Sequence, residues 1–122
     1  LPQIIESMKT FFYLHTCSTC QRIMKDLNLI GVDLKDIKTN KITSLEIEQM
    51  AKISGSYEAL FSRRAMKFKA LDLANKTLTE DDYKKYILSE YTFLKRPVLV
   101  IDDQIAIGNS KKSIEEMQNI LG

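Results

Sequence analysis

Between Thr10 and Ile37 the sequence lays out a strand, a helix and a second strand, in about the 30 residues that a β-α-β unit takes. That unit commits the chain to an α/β sheet. Thr10 to Leu14 (TFFYL) is a short aromatic and apolar run, the pattern of a buried strand. It leads into His15-Thr16-Cys17. From Ser18 to Leu29 a helix is expected, because Ile23, Met24, Leu27 and Ile30 recur at helical spacing, and Gly31 stands where a C′ glycine would stop it. Val32 to Ile37 then alternates apolar and polar residues as a second strand.

The middle of the chain changes character. Thr43-Ser44-Leu45-Glu46 is a capping box, and Leu45, Ile47, Met50, Ala51 and Ile53 carry an amphipathic helix to about Ser54, where Gly55 breaks it. Short helices are expected over Tyr57 to Phe61 and Ala65 to Leu73. A further helix runs from Thr79, its N-cap with Asp82 at N3, to Leu88. Pro97 to Ile101 reads as a buried strand, Asp102-Asp103 as a turn and Gln104 to Ile107 as the returning strand. Ser110 to Leu121 closes the chain as an amphipathic helix using Ile114, Met117, Ile120 and Leu121. The order β-α-β, helical block, β-β-α makes one four-stranded mixed sheet from the two ends. That is a thioredoxin-like α/β fold with the helices inserted between its halves.

A chain of 122 residues is one domain with room for a real core. The domain is expected over residues 8–122. Met8 is the first methionine, so residues 1–7 read as a cloning remnant or a flexible leader. No apolar run approaches the about 20 residues that cross a bilayer, and a net charge of +2 is too small to argue for direct nucleic-acid or membrane binding. The two cysteines are three residues apart, and a disulfide between them would close too small a loop to serve as a structural staple. They read instead as chemistry in a cytoplasmic protein.

Cys17-Ser18-Thr19-Cys20 is a C-x-x-C motif at the strand-to-helix junction. Free backbone N–H groups and the positive end of the helix dipole converge there, which favours the thiolate at Cys17. Cys20, one turn along, is spaced to attack a mixed disulfide on Cys17 and release a product. Arg22 and Lys25 are placed to add positive potential. Such a pair can also be two inert hydrophobes. A zinc site would need about four ligands, and the chain offers no second cysteine pair and only His15, so no metal is expected. Arg96-Pro97 stands immediately before the third strand. In a thioredoxin-like fold the proline at that place is cis and faces the cysteine across the site.

With these pieces in hand, the sequence from about Lys9 to Leu121 resembles the ArsC/Spx family, arsenate-reductase-like proteins with a thioredoxin-like fold and a helical insertion. The segments that carry the resemblance are Tyr13 to Cys20 (YLHTCSTC), Gly55 to Arg64 (GSYEALFSRR), Leu94 to Val100 (LKRPVLV) and Ile107-Gly108. The resemblance implies that Cys17 attacks and that arginines hold the substrate oxyanion. Arg64 matches the arginine of the insertion, with Arg63 as the fallback, and Arg96 matches the arginine before the proline. Guanidinium groups suit that task, since they grip tetrahedral oxyanions bidentately and favour a thiolate.

Three departures separate this sequence from the arsenate-reducing members. Those carry a third arginine near the end of the hairpin, where this chain has Gly108-Asn109-Ser110. They have an arginine four residues after the nucleophile, where this chain has Gln21 with Arg22 beside it. They also lack a cysteine at the Cys20 position. The C-x-x-C belongs to the Spx pattern, whose members bind the RNA polymerase α-subunit and switch transcription through a disulfide. Gly55 resembles the glycine of that binding surface. Spx-like chains carry a basic tail past the last helix, and the sequence in hand stops at Gly122. The favoured expectation is a thiol-dependent oxidoreductase that acts on a small oxyanion or a disulfide. It would hold no bound cofactor and draw on an external thiol donor, glutathione with glutaredoxin, or thioredoxin. The alternatives are an Spx-like redox-sensing regulator and a thioredoxin-fold protein that has lost its activity.

Overall fold

A computed structural model describes residues 8–122; the expected leader, residues 1–7, lies outside the described residues. Four strands, β1 (Lys9–Tyr13), β2 (Asp33–Asp36), β3 (Val98–Ile101) and β4 (Gln104–Ile107), form one sheet in the order β2-β1-β3-β4. β1 runs parallel to β2 and antiparallel to β3, and β3 and β4 are an antiparallel hairpin closed by Asp102-Asp103. The mixed, four-stranded, thioredoxin-like architecture expected from the sequence is the one observed.

β1 is apolar without alternation because both faces of the sheet are covered. Phe11 packs with Leu99, Ala106, Ile23 and Met117, under α1 (Ser18–Lys25) and α5 (Lys111–Leu121). Phe12 points the other way, into a core shared with Val98, Val100, Ile47, Met50, Ile87 and Phe61. That second core is roofed by the inserted block. The block comprises α2 (Ser44–Ser54), α3 (Met66–Ala70), α4 (Glu80–Ser89) and three single 3₁₀ turns at Glu58–Leu60, Leu73–Asn75 and Tyr91–Phe93. Both expected caps form: Thr43 with Glu46 and Thr79 with Asp82 are reciprocal capping boxes. Phe61 anchors the block. Its ring stacks on Phe93 at 5.1 Å and meets Tyr83 at 4.9 Å. A single antiparallel bridge, Phe61 to Leu94, ties it to the segment that enters β3.

Local boundaries differ from the sequence reading in four places. α1 ends at Lys25 rather than Leu29, capped by Asp26, whose N–H reaches the carbonyls of Ile23 and Met24. The helical phase therefore stops at the buried Leu27, and Ile30 is 90% exposed in the turn. Gly31, with φ 79°, serves the entry to β2 rather than the end of α1. β2 is an edge strand and leaves Leu34 exposed, so its apolar alternation does not mark a core face. The helix expected over Ala65 to Leu73 breaks after Ala70, where Asp72 turns left-handed at φ 54° before a 3₁₀ turn. The stretch Tyr57 to Phe61 holds a 3₁₀ turn at Glu58–Leu60 rather than a helix.

Because Phe61 is fully buried among four rings, those of Phe68, Tyr83, Tyr86 and Phe93, Phe61→Ala is expected to cost about 3–5 kcal/mol. Met66→Ala, on an exposed side chain, is expected to cost at most about 0.5 kcal/mol. Urea unfolding midpoints of the two variants against the parent check this.

Candidate functional site

Cys17 is the N-cap residue of α1, with extended backbone (φ −86°, ψ 112°). The turn that presents it is closed by the Cys17 N–H donating to the Leu14 carbonyl at 3.0 Å. Gln21 buttresses the same turn: its Nε2 donates to the His15 carbonyl at 3.0 Å and lies 3.2 Å from His15 Nδ1. No oxygen side chain caps α1. The Thr19 and Cys20 N–H groups face the Cys17 sulfur without closing a tight cap. Burial pushes the Cys17 thiol up. The Cys20 backbone and side chain, the Thr19 N–H and the Arg96 charge outweigh it and hold the thiol below its ordinary value.

Cys20 is fully buried and its environment works the other way. Burial pushes its thiol up to about 11, against a hydrogen bond from the Leu14 backbone and with the Cys17 charge adding to the rise. Both cysteines are free thiols. One is half-buried and biased toward the thiolate. The other is sealed and held neutral, and the two lie close enough to share a hydrogen bond.

Cys17 opens onto a cleft of about 580 Å³. Its basic lining residues are Arg63, Arg64, Lys95 and Arg96, and among the described residues no carboxylate lines it. Arg96 is part-buried. Its Nη1 donates to the Thr92 carbonyl at 3.5 Å, while its Nε is buried without a partner. The Arg96–Pro97 peptide is cis, as expected; Pro97 is buried and does not line the cleft. Arg64 also lines the cleft, exposed and without a carboxylate partner among the described residues.

Arg63 touches the cleft but is committed elsewhere. Its Nη2 donates to Glu58 Oε2 at 2.8 Å and to the Tyr83 hydroxyl at 3.0 Å, and its guanidinium lies over the Phe61 and Tyr83 rings. This separates the two adjacent arginines that the sequence left open: Arg63 clasps the inserted block and Arg64 is left to face the cleft. Arg22 is not brought in. It is exposed on α1, does not line the cleft, and is absent from the groups that lower the Cys17 thiol. Lys25 is likewise absent. Position explains this, since the dipole acts at the first turn and both lie in the last.

The far wall of the cleft comes from Gly108, Asn109, Ser110 and Ser113 at the start of α5. Ser110 is the N-cap, accepting from the Ser113 N–H at 3.0 Å. The Ser113 hydroxyl donates to the Ile107 carbonyl at 2.7 Å, pinning α5 to the end of β4. Sequence reasoning missed Ser113 as a cleft residue. The S-x-x-S pattern directly after the hairpin glycine was the available signal.

A protein-family model described as the ArsC family matches residues 12–117, a span that holds every residue lining the cleft. The chain belongs to the ArsC family. The uncharacterized protein YusI of Bacillus subtilis is 24% identical over 112 residues, 88% of this chain and 95% of that one. A solution structure from Staphylococcus aureus is 30% identical with a TM-score of 0.71, covering 89% of this chain and 97% of the other. A crystal structure described as a possible arsenate reductase from Streptococcus mutans is 28% identical with a TM-score of 0.69, covering 87% and 93%. In this ArsC-family chain the cleft wall at Gly108-Asn109-Ser110 is neutral, and Gln21 supports the cysteine loop through His15.

The two thiols are expected to separate cleanly. With iodoacetamide and mass spectrometry, Cys17 is modified first and at a pH below the ordinary thiol range, while Cys20 stays unmodified in the folded protein. Fast labelling that survives in Cys17→Ser contradicts the assignment. Between the ordinary value of 9.0 and about 11 the Cys20 thiol is protonated when folded and ionised when unfolded. Stability is therefore expected to fall with rising pH across that window, and Cys20→Ala flattens the fall.

Proposed function

We propose that the protein is a thiol-dependent oxidoreductase of the cytoplasm, with Cys17 as nucleophile and Cys20 as resolving thiol. The observation that carries this is the opposed setting of the two thiols: one favoured as thiolate at the mouth of a basic cleft, the other neutral and sealed behind it. In the proposed cycle the Cys17 thiolate attacks one sulfur of a disulfide substrate. A Cys17–substrate disulfide forms and the other half leaves as a thiolate. Cys20 then loses its proton toward the departing thiolate and attacks the Cys17 sulfur. The second half is released, and the two electrons given to the substrate leave a Cys17–Cys20 disulfide. An external thiol donor, glutathione with glutaredoxin or thioredoxin, restores the pair. No bound cofactor or metal takes part. Arg64 and Arg96 hold the anionic part of the substrate and, for Arg96, favour the thiolate.

The cleft, at about 580 Å³, is many times the volume of a tetrahedral oxyanion and has room for the flanks of a disulfide. Two arginines at its mouth and a neutral far wall hold an oxyanion less tightly than three arginines would. Losing one charge-assisted hydrogen bond costs roughly 1.5–3 kcal/mol, about ten- to a hundredfold in affinity. Arsenate reduction is therefore proposed to be weak or absent, with disulfide reduction retained. The regulator reading finds no separate support at Gly55: its φ of 97° at the end of α2 gives that glycine a structural reason of its own.

A reductase assay with arsenate and with a carboxylate-bearing aromatic disulfide, run with glutaredoxin and thioredoxin in parallel, tests the proposal. Disulfide turnover is expected to vanish in Cys17→Ser. In Arg96→Ala and Arg64→Ala, KM is expected to rise roughly tenfold or more. Efficient turnover of micromolar arsenate contradicts the substrate assignment, and specific capture of the polymerase α-subunit contradicts the enzyme.

A further inference from the structure

A Cys17–Cys20 disulfide has only one sulfur that a donor can reach. Cys20 is fully buried while Cys17 opens to the cleft, so the incoming thiolate must approach from the cleft side. The surface that a donor protein would meet there is unusual for this chain. Met66 is 89% exposed at the start of α3, and the residue before it, Ala65, lines the cleft with Arg63 and Arg64. Lys69, three residues on, shares the Met66 face of the helix and is also exposed. Leu71 is 43% exposed just beyond. From Arg63 to Lys76 the chain carries five basic residues against the single acid Asp72. Two of the five are neutralised, Arg63 by Glu58 and, at 3.8 Å, Lys67 by Glu90. Arg64 and Lys69 have no ion-pair partner among the described residues. The other large exposed apolar side chains, Ile30, Leu34 and Leu45, belong to the β2 edge and the start of α2, and none of them adjoins a cleft-lining residue in the chain as Met66 adjoins Ala65.

We infer that α3 with its flanking residues, centred on Met66 and Lys69, docks an acidic dithiol protein that re-reduces the Cys17–Cys20 pair, a step resting on the oxidoreductase reading above. An apolar anchor set in unpaired positive charge and running directly into a basic cleft fits an acidic surface with a small apolar centre. In that complex the donor thiolate attacks the Cys17 sulfur, the Cys17–Cys20 bond breaks and Cys20 leaves as a thiolate that takes up a proton. The second donor thiol then attacks the donor sulfur of the mixed disulfide. The donor departs as a disulfide and Cys17 returns to the thiolate. Two electrons pass from donor to protein.

The test compares two reductants of the oxidised full chain: reduced thioredoxin of net negative charge, and dithiothreitol, which needs no docking. The substitutions are Met66→Glu and Lys69→Glu together, both on exposed side chains, with unchanged thermal unfolding as the folding check. Thioredoxin is expected to reduce the parent faster than dithiothreitol at equal concentration. The double variant is expected to slow the thioredoxin reaction about tenfold, to weaken its salt dependence, and to leave the dithiothreitol rate unchanged. Equal thioredoxin rates for parent and variant, or thioredoxin no faster than dithiothreitol on the parent, overturn the docking surface. An absence of any disulfide for dithiothreitol to reduce overturns the oxidoreductase reading and this one with it. The dithiothreitol arm thus separates the two failures.

Discussion

The antiparallel pairing of β1 with β3 is the constraint on which the site depends. With Phe12 opposite Val98, the chain leaving β1 and the chain entering β3 lie side by side at one end of the two central strands. The residues just past the end of β1 include Cys17, and those just before β3 include Arg96. A nucleophile and a cation separated by most of the sequence are therefore held together by backbone hydrogen bonds, not by any bond between them. Burial of Phe11 and Phe12 on opposite faces fixes that register, because a slip by one residue would exchange the two cores.

The inserted block adds the third element of the cleft through a second fixed point. The bridge from Phe61 to Leu94, with the Lys95 N–H donating to the Leu60 carbonyl at 2.8 Å, welds the insertion to the approach of β3. Arg63 then closes on Glu58 and Tyr83, and Glu80 accepts from the Tyr57 and Glu58 N–H groups, so that α4 and the Tyr57–Arg64 segment are held together. Arg64 is left at the rim. The arginine that faces the cleft is set by the one beside it.

The sheet was legible in the sequence because its signals are local and strong: an apolar run for each central strand, two capping boxes, and a two-residue turn between β3 and β4. Cys17 was legible for the same reason, as its setting depends on a strand ending and a helix beginning. What escaped depended on tertiary context. Ile30 continued a helical rhythm that the Asp26 cap had already ended, and Leu34 alternated on an edge strand with no partner layer. Arg22 looked cationic and near in sequence, yet it lies in the last turn of a short helix, away from the dipole end that matters. The choice between Arg63 and Arg64 could not be read from the sequence, since it turns on the Phe61 and Tyr83 rings that come together only in the fold. Ser113 was hidden because its role is to pin a helix to a strand.

The central claim is that this junction, with Arg96 beside it, lowers the Cys17 thiol and favours its thiolate. Ultraviolet titration of thiolate absorbance in Cys20→Ala, with and without Arg96→Met, measures it directly. The account predicts a single ionisation below the ordinary thiol value that moves upward when Arg96 is replaced. An ionisation at or above the ordinary value, unmoved by Arg96→Met, would contradict it.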